Sequence, residues 1–280
     1  MFAKHQQSNM NRLTPLLAFS LLLSLVMFSA CKKMKPVKVE PAKETEVEKP
    51  VVVVPPVKKN LLPIKLVSGN LTLEITYLAG TAAISNLKFS NGNTYLLSYT
   101  DNILKKLQKQ KSDLIIQSVD YLVSNGNITR VQRFDVNGQR STPTEKYYFE
   151  YNTALQISNV KFYGVSGSLL SDQNLTYTNL GNLGSSTLKT GTVLSSSDYT
   201  YDSKNAIFKN VLFCQVLKYE INEPFLNQGV NNLTKLGNPL LATDDLSYQY
   251  IYRTEEYPTG VTITKNGINY TYAISYIEMK

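Results

Sequence analysis

Apolar and polar residues alternate along much of the chain after residue 61, which is the period of a β-strand. Leu71–Tyr77 is the clearest case, with apolar residues at odd positions and polar residues at even ones, as in a strand buried on one face. Asn-Gly pairs at 91–92, 125–126, 137–138 and 266–267 predict two-residue hairpin turns. We therefore expect an all-β domain built as an antiparallel meander of hairpins. Local pattern does not encode closure, so a twisted sheet, a sandwich and an open barrel all fit.

The last Asn-Gly pair specifies a complete hairpin. A turn at Asn266 and Gly267 places two apolar pairs on one face and a pair of threonines on the other, which is the consistency that a hairpin requires. The predicted partners are Lys265 with Ile268, Ile263 with Tyr270, Val261 with Tyr272 and Thr262 with Thr271. The only hint of a helical period lies at residues 102–111, and that run also fits the end of a strand.

The first thirty residues have the layout of a signal peptide. A polar region with Lys4 and Arg12 precedes an apolar run at residues 16–28, and small residues come after it. An apolar run of about 13 residues is shorter than the roughly 20 that a transmembrane helix needs. A permanent membrane-spanning helix is therefore the weaker interpretation.

Phe28-Ser29-Ala30-Cys31 resembles the lipobox that the bacterial lipoprotein signal peptidase cuts, with Phe28 where leucine is usual. The resemblance implies that residues 1–30 are removed and that Cys31 becomes the acylated first residue of the mature protein, with palmitate among its acyl chains. Several acyl chains on one residue anchor a protein durably. The lipid bilayer, bound through Cys31, is the expected partner. The alternative is a chance cysteine after an ordinary secretion signal.

Residues 31–60 differ in composition from the rest of the chain. They are rich in Pro, Lys, Glu and Val and contain no aromatic residue, so they cannot build a core. We expect an extended tether here and a single tyrosine-rich β domain at residues 61–280. A strand at Val51–Val54 is the alternative, confined to a sheet edge by Pro55 and Pro56.

Charge and composition exclude several classes of function. The net charge is +8, but residues 1–60 hold ten of the 29 basic residues and only four of the 21 acidic ones. The domain is thus nearly neutral, which argues against nucleic-acid binding. The sole histidine, His5, lies in the predicted signal peptide, so the mature protein has no histidine for a catalytic triad or a metal site. Cys214 lies in an apolar run and is expected to be a buried, inert thiol.

The 19 tyrosines all lie between Tyr77 and Tyr276, and many are spaced by two, which puts them on one face of a strand. The segments 198–202 and 248–261 resemble the tyrosine-aspartate repeat, Tyr-x-Tyr-Asp and then a glycine turn, although Arg253 stands where the repeat carries Asp. Residues 198–277 are similar more narrowly to a group of uncharacterised Bacteroidota lipoproteins. This resemblance implies a repeat-like antiparallel β domain and an envelope location, and it implies no reaction or cofactor. The candidate ligand-binding residues are Tyr199, Tyr201, Tyr248, Tyr250, Tyr252, Tyr270 and Tyr272.

Three functions remain as hypotheses. The first is a non-catalytic binding or structural protein of the envelope, anchored at the outer membrane. We expect it to face the periplasm, because Lys32 and Lys33 stand where exported lipoproteins carry an acidic run. Exposure at the cell surface is the alternative location. The second is a carbohydrate-binding module, in which tyrosine faces stack on a glycan; an envelope protein is the other possible partner. The third is a carboxylate-dependent glycan hydrolase, with Asp244-Asp245 and Glu255-Glu256 as visible doublets. Adjacent strand residues point to opposite faces, so neither doublet forms a facing pair, and no catalytic residue is assigned.

Overall fold

The computed structural model describes residues 59–221, 223–227, 229–238 and 245–279. They belong to a compact unit that runs from Val54 to Lys280. The described strands are β1 Leu61–Ser68, β2 Leu71–Tyr77, β3 Ile84–Phe89, β4 Asn93–Thr100, β5 Ile103–Lys111, β6 Leu114–Ser124, β7 Asn127–Asn137, β8 Arg140–Tyr151, β9 Ile157–Gly164, β10 Leu169–Tyr177, β11 Leu183–Thr190, β12 Val193–Asn205, β13 Asn231–Gly237, β14 Leu246–Tyr252, β15 Pro258–Lys265 and β16 Ile268–Glu278. Between β12 and β13 lie a short helix, α1, at Cys214–Leu217 and a 3-10 helix at Pro224–Asn227.

The sixteen strands form one closed barrel in which every strand pairs antiparallel with its neighbours in sequence. The last strand returns to the first, with Leu61 opposite Glu278 and Val67 opposite Ala273. The predicted all-β antiparallel meander is therefore confirmed, and its closure is that of an up-and-down barrel. Closure pairs the backbone of both terminal strands, which removes the free sheet edges that an open meander would expose.

All four Asn-Gly pairs lie where one strand turns into the next, but they are not all used in the same way. Asn125-Gly126 and Asn266-Gly267 have positive φ at both residues, as a type I′ turn requires. The register of the last hairpin is confirmed at all four predicted pairs. The pair at 137–138 is displaced by one residue, because Asn137 pairs with Arg140 and leaves Gly138 as the first loop residue.

The run at residues 102–111 is strand β5, so its helical interpretation is wrong. Asp101 and Asn102 form a turn with positive φ, and the pairing with β4 slips by one residue opposite Leu104. The slip is a β-bulge, which inserts an extra residue into one strand. Leu104 and Leu107 consequently face the core although they are three residues apart, a spacing that mimics a helix.

The same bulge recurs around the wall. The register slips just before Tyr77, Tyr99, Val123, Tyr151 and Tyr177 on successive even-numbered strands. The next strand then presents two buried residues three apart: Ile84 and Leu87, Leu104 and Leu107, Ile128 and Val131, Ile157 and Val160. The barrel is thus built from repeated two-strand units, each bent at its bulge.

The two faces of the wall differ in polarity. Inward positions form the apolar core, whereas many outward positions are polar and carry ion pairs between adjacent strands, with Leu122, Ile251 and Ile277 as exposed apolar exceptions. Lys106 lies 3.2 Å from Asp120, and Lys161 lies 2.6 Å from Glu150. The outer face of the barrel therefore carries charge. No described helix has the length and apolar character needed to cross a membrane.

Residues 206–221, 223–227 and 229–230, which together we call the plug, fill part of the barrel interior. Phe213 contacts Tyr99 on β4 with ring centroids 5.9 Å apart, and Phe225 contacts Tyr272 on β16 at the same separation. Tyr219 packs on Phe149 of β8 at 5.4 Å. Contacts to strands this far apart around the wall are possible only from inside the barrel. The sequence analysis missed the plug because a four-residue helix has no detectable period.

Candidate functional site

Five of the even-numbered strands carry, near their ends, a tyrosine whose hydroxyl donates a hydrogen bond to a backbone carbonyl of the preceding strand. The acceptor carbonyls belong to residues just before a bulge or at a strand start. The bonds, at 2.7 to 2.9 Å, are Tyr77 to Pro63, Tyr99 to Ile84, Tyr151 to Ile128, Tyr177 to Ile157 and Tyr250 to Leu233. These hydroxyls satisfy carbonyls inside the wall, so the tyrosine spacing serves the barrel in the first place.

The seven tyrosines predicted as ligand-binding residues lie on the inward face of the wall. Tyr248 is buried, and Tyr199, Tyr201, Tyr250 and Tyr272 pack against the core. The rings of Tyr248, Tyr250 and Tyr252 form a continuous row along β14, with successive centroids 6.5 and 5.9 Å apart. Tyr270 is the exposed member, at 45 %. The described tyrosines thus provide no outward platform of aligned rings, and ligand binding by them stays a prediction.

The aspartate of the tyrosine-aspartate segment organises the place where the plug leaves the wall. Asp202 accepts hydrogen bonds from the Tyr252 hydroxyl and from the Asn232 backbone N–H. The fully buried Asn232 amide donates to the Asn205 carbonyl at 2.7 Å. These contacts join the two strands that flank the plug, β12 and β13. The motif therefore has a structural role here.

The main polar cluster inside the barrel centres on Arg133 of β7, which joins the wall to the plug. Its Nη1 donates to Glu145 on β8. Its Nε donates to Glu220 at 3.2 Å, and its Nη2 donates to the Tyr219 carbonyl at 3.2 Å. The guanidinium also lies 5.9 Å from the centroid of the Tyr147 ring. Arg133 is the group that holds this part of the plug to the wall.

The two carboxylates on Arg133 lie in different surroundings. The Glu145 side chain is 39 % exposed, whereas the Glu220 side chain is 1 % exposed. Burial raises the pKa of Glu220 to about 7, against the opposing effect of Arg133. Burial also raises the pKa of Glu223 to about 7 and lowers that of Lys218 to about 8. The plug therefore carries several titratable groups whose charge changes near neutral pH.

The predicted carboxylate doublets have structural partners. Glu255 binds Arg253 at 2.7 Å, and Glu256 binds Lys204 at 2.6 Å, both in the turn between β14 and β15. Asp245 binds Lys235 at 3.1 Å, while Asp244 lies outside the described residues. No facing carboxylate pair arises from either doublet in the part of the chain that the structure describes.

The remaining candidates are Cys214, possible metal ligands and the residues of the predicted signal peptide and tether. Cys214 is buried in α1, and burial raises its thiol pKa to about 12, as expected for an inert thiol. Within the described ranges, no three His, Cys, Asp or Glu side chains come together as a metal site. Cys31, His5, the signal peptide and most of the tether lie outside the described residues, so those predictions are not tested by the structure.

The sequence analysis did not find the Arg133 cluster. Arg133 and Glu220 are 87 residues apart, and Arg133 belongs to a strand in which charged residues are common. The only sequence feature that sets Arg133 apart is its spacing of two residues from the buried Val131, which places both on the inward face of β7. Without knowledge of the plug, an inward arginine has no predictable partner.

Comparison with known proteins shows a similar fold and no detectable family. No protein-family model matches the chain, and no curated protein is similar to it. Among solved structures, a porin-like protein from Bacteroides uniformis aligns with a TM-score of 0.52 and 19 % identity over 80 % of this chain and 99 % of that one. A porin-like protein from Bacteroides vulgatus aligns with a TM-score of 0.49 and 13 % identity over 78 % and 99 % of the two chains.

The first of these likenesses shows the fold alone, and the second is too weak to carry an argument. The first protein comes from Bacteroides, within the phylum Bacteroidota that the sequence resemblance indicated. No family match supports the narrower resemblance to the tyrosine-aspartate repeat.

Proposed function

We propose that this chain is a lipid-anchored β-barrel protein of the bacterial cell envelope that acts by binding or as a structural component, without catalysis. The observation that carries the proposal is the polar outer wall. Transmembrane barrels present an apolar band to lipid, whereas this wall presents charged pairs such as Lys106 with Asp120 and Lys161 with Glu150. Charged pairs on the wall are unfavourable in lipid, so in this proposal the attachment to a membrane falls to Cys31.

The plug supports a binding or structural role over transport through the barrel. In a porin the lumen is a water-filled channel, but here Tyr219 and Phe225 pack on the wall from within. The fold likeness to porin-like proteins from Bacteroides is compatible with an envelope location and leaves the role of the lumen open. The outer membrane, with the barrel facing the periplasm, is the location that the sequence after Cys31 favours.

Several features argue against catalysis. The sole histidine, His5, lies in the proposed signal peptide, and Glu255 and Glu256 are held in ion pairs at a turn. Glu145 and Glu220 lie near each other, but Arg133 binds both, and a glycan has no access to a carboxylate that is 1 % exposed. A hydrolase is therefore not proposed.

The test is a pair of cysteine variants expressed in a bacterium that processes lipoproteins. Cys31→Ser should release the protein from the membrane fraction or leave it uncleaved. Cys214→Ser, which changes the only other cysteine, should leave the location unchanged. Mass spectrometry of the membrane-bound protein should give an acylated Cys31 as the first residue. An unmodified Cys31, or a mature chain that starts elsewhere, contradicts the proposal.

A further inference from the structure

The up-and-down topology gives the barrel two different rims. The plug joins β12 to β13 at one rim, which also holds the start of β1. The turns after the odd-numbered strands lie at the opposite rim, which we call the distal rim, and include those at 112–113, 191–192 and 266–267. The distal rim is thus the end of the barrel away from the point where the plug begins.

Large apolar side chains are exposed around the distal rim. They lie mainly at the starts of even-numbered strands, next to the turns: Leu114 (72 % exposed), Val165, Leu169, Val193, Ile268 and Tyr270. Single exposed apolar residues are ordinary on protein surfaces, but a ring of them on one face marks an interaction surface. The long side chains of this ring are contributed by β6, β10, β12 and β16 and the turn after β9, so they surround a large part of the rim.

Basic residues are interspersed with this ring. Lys111, Arg140, Lys189 and Lys265 are exposed at the same turns, and among the described residues none of the four has an acidic partner within ion-pair distance. Some cations on the wall, such as Lys65, Lys106 and Lys161, do pair with acids on the neighbouring strand. Asp113 and Asp135 are the exposed acids of the described rim. Among the described residues of the rim, basic charge is therefore in excess, with four unpaired cations against two exposed acids.

We infer that the distal rim docks on the surface of a bilayer that contains anionic phospholipid. Aliphatic side chains flanked by lysines suit the boundary between headgroups and acyl chains, where apolar area is buried and phosphates attract the cations. The charge excess selects this partner over an apolar protein face, which would offer nothing to four unpaired cations. The contact is separate from the proposed anchor at Cys31 and concerns the opposite end of the barrel.

The absence of tryptophan from the chain allows a single introduced tryptophan to report on the rim. Leu114→Trp places the probe on the distal rim, and Leu180→Trp places it at an equally exposed position, 72 %, on the rim that carries the plug. Each full-length protein is mixed with vesicles of phosphatidylglycerol and phosphatidylcholine that have brominated acyl chains. We expect a blue shift and several-fold stronger bromine quenching for Leu114→Trp than for Leu180→Trp.

The charges are tested on the same probe. Replacing Lys111, Lys189 and Lys265 by Gln in the Leu114→Trp protein should lower the ratio of docked to free rims by about fivefold per lysine. Neutral vesicles or high salt should have a similar effect. Equal quenching of the two probes overturns the inference. A blue shift that grows with protein concentration in the absence of vesicles also overturns it, because it would indicate a second copy on the rim.

The anchor is monitored independently, since mass spectrometry of the same samples reports whether Cys31 is acylated. A protein without acyl chains whose Leu114→Trp probe is quenched would refute the proposed anchor and support the rim. An acylated protein whose Leu114→Trp probe is not quenched would support the proposed anchor and refute the docking of the rim.

Discussion

The hydroxyl groups of the inward tyrosines fall into two classes, and strand β8 contains one of each. The Tyr151 hydroxyl donates to the Ile128 carbonyl at 2.7 Å. The Tyr147 hydroxyl is buried without a protein partner, while its ring packs on Phe149 and Phe162. The first hydroxyl contributes a hydrogen bond, whereas the second is a polar group whose burial is not compensated by the protein.

This difference gives a matched prediction. Tyr151→Phe should lower the free energy of unfolding by about 1–2 kcal/mol, because it leaves a buried carbonyl without its donor. Tyr147→Phe should be neutral or slightly stabilising, since it removes an uncompensated hydroxyl and keeps the ring. Urea unfolding of both variants makes the comparison. An equal loss in the two would mean that the hydrogen bond from Tyr151 to the Ile128 carbonyl adds no stability over an unpartnered hydroxyl.

The buried carboxylate of the plug makes stability depend on pH. In the folded protein the pKa of Glu220 is about 7, whereas an unfolded glutamate titrates near about 4.3. Between these values the folded state keeps a proton that the unfolded chain has released, so stability should fall as pH rises from about 4.5 to about 7. The loss attributable to Glu220 should be about 1–3 kcal/mol.

Glu220→Gln should remove this part of the slope, because a glutamine still accepts the bond from Arg133 and does not titrate. Glu150→Gln, which alters an exposed ion pair on the wall, is the control and should leave the slope unchanged. Unfolding free energies at several pH values between 4 and 8 decide the matter, and an unchanged slope in Glu220→Gln would contradict the assignment.

At the scale of elements, the hairpins were predictable and the bulges were not. A turn such as Asn266-Gly267 is a local signal, because positive φ favours those two residues, and the register on either side is set by it. A bulge shifts the inward face by one residue without any special residue type, so Leu104 and Leu107 acquire a helical spacing inside a strand. The helical alternative at residues 102–111 arose from this spacing, whereas the strand alternative is confirmed.

The closing hairpin carries the prediction that belongs to this scale. Gly267 has a φ of +75° with no atom close to where a Cβ would be, so Gly267→Val should strain the backbone without a steric clash and cost about 1–3 kcal/mol. Gly267→Asn should cost less, because asparagine tolerates positive φ. Thr262→Ala, on the outward face, should cost well under about 1 kcal/mol. Chemical unfolding of the three variants provides the test, and a larger loss in Thr262→Ala than in Gly267→Val would refute it.

For the whole molecule, the sequence predicted the fold class but neither the closure nor the plug. Strand order in a meander is encoded in turn lengths, whereas closure depends on how much each bulge bends the wall and on what fills the interior. The sequence analysis assigned no element to residues 206–230, yet Phe225 and Tyr219 contact β16 and β8, which lie far around the wall from β12 and β13. The seven candidate tyrosines were correctly placed on common strand faces, but only the closed barrel determines that these faces point inward.

Closure also bears on the predicted tether. The described residues from Lys59 onward close the barrel, because β1 pairs with β16 from Leu61 and Glu278 to Val67 and Ala273. Next to this pairing, the Asn60 carbonyl accepts the Met279 N–H and Lys59 pairs with Glu278. Deleting residues 32–58 should therefore leave the barrel intact and shift the midpoint of thermal unfolding by little, about 1–2 °C at most. Wild type and the deletion variant are compared as mature proteins in the same detergent. A loss of several degrees would mean that the segment, Val51–Val54 above all, pairs with or packs on the barrel. Such a result would make the segment part of the fold, and the reach of the barrel from its anchor would then be set by the few residues directly after Cys31.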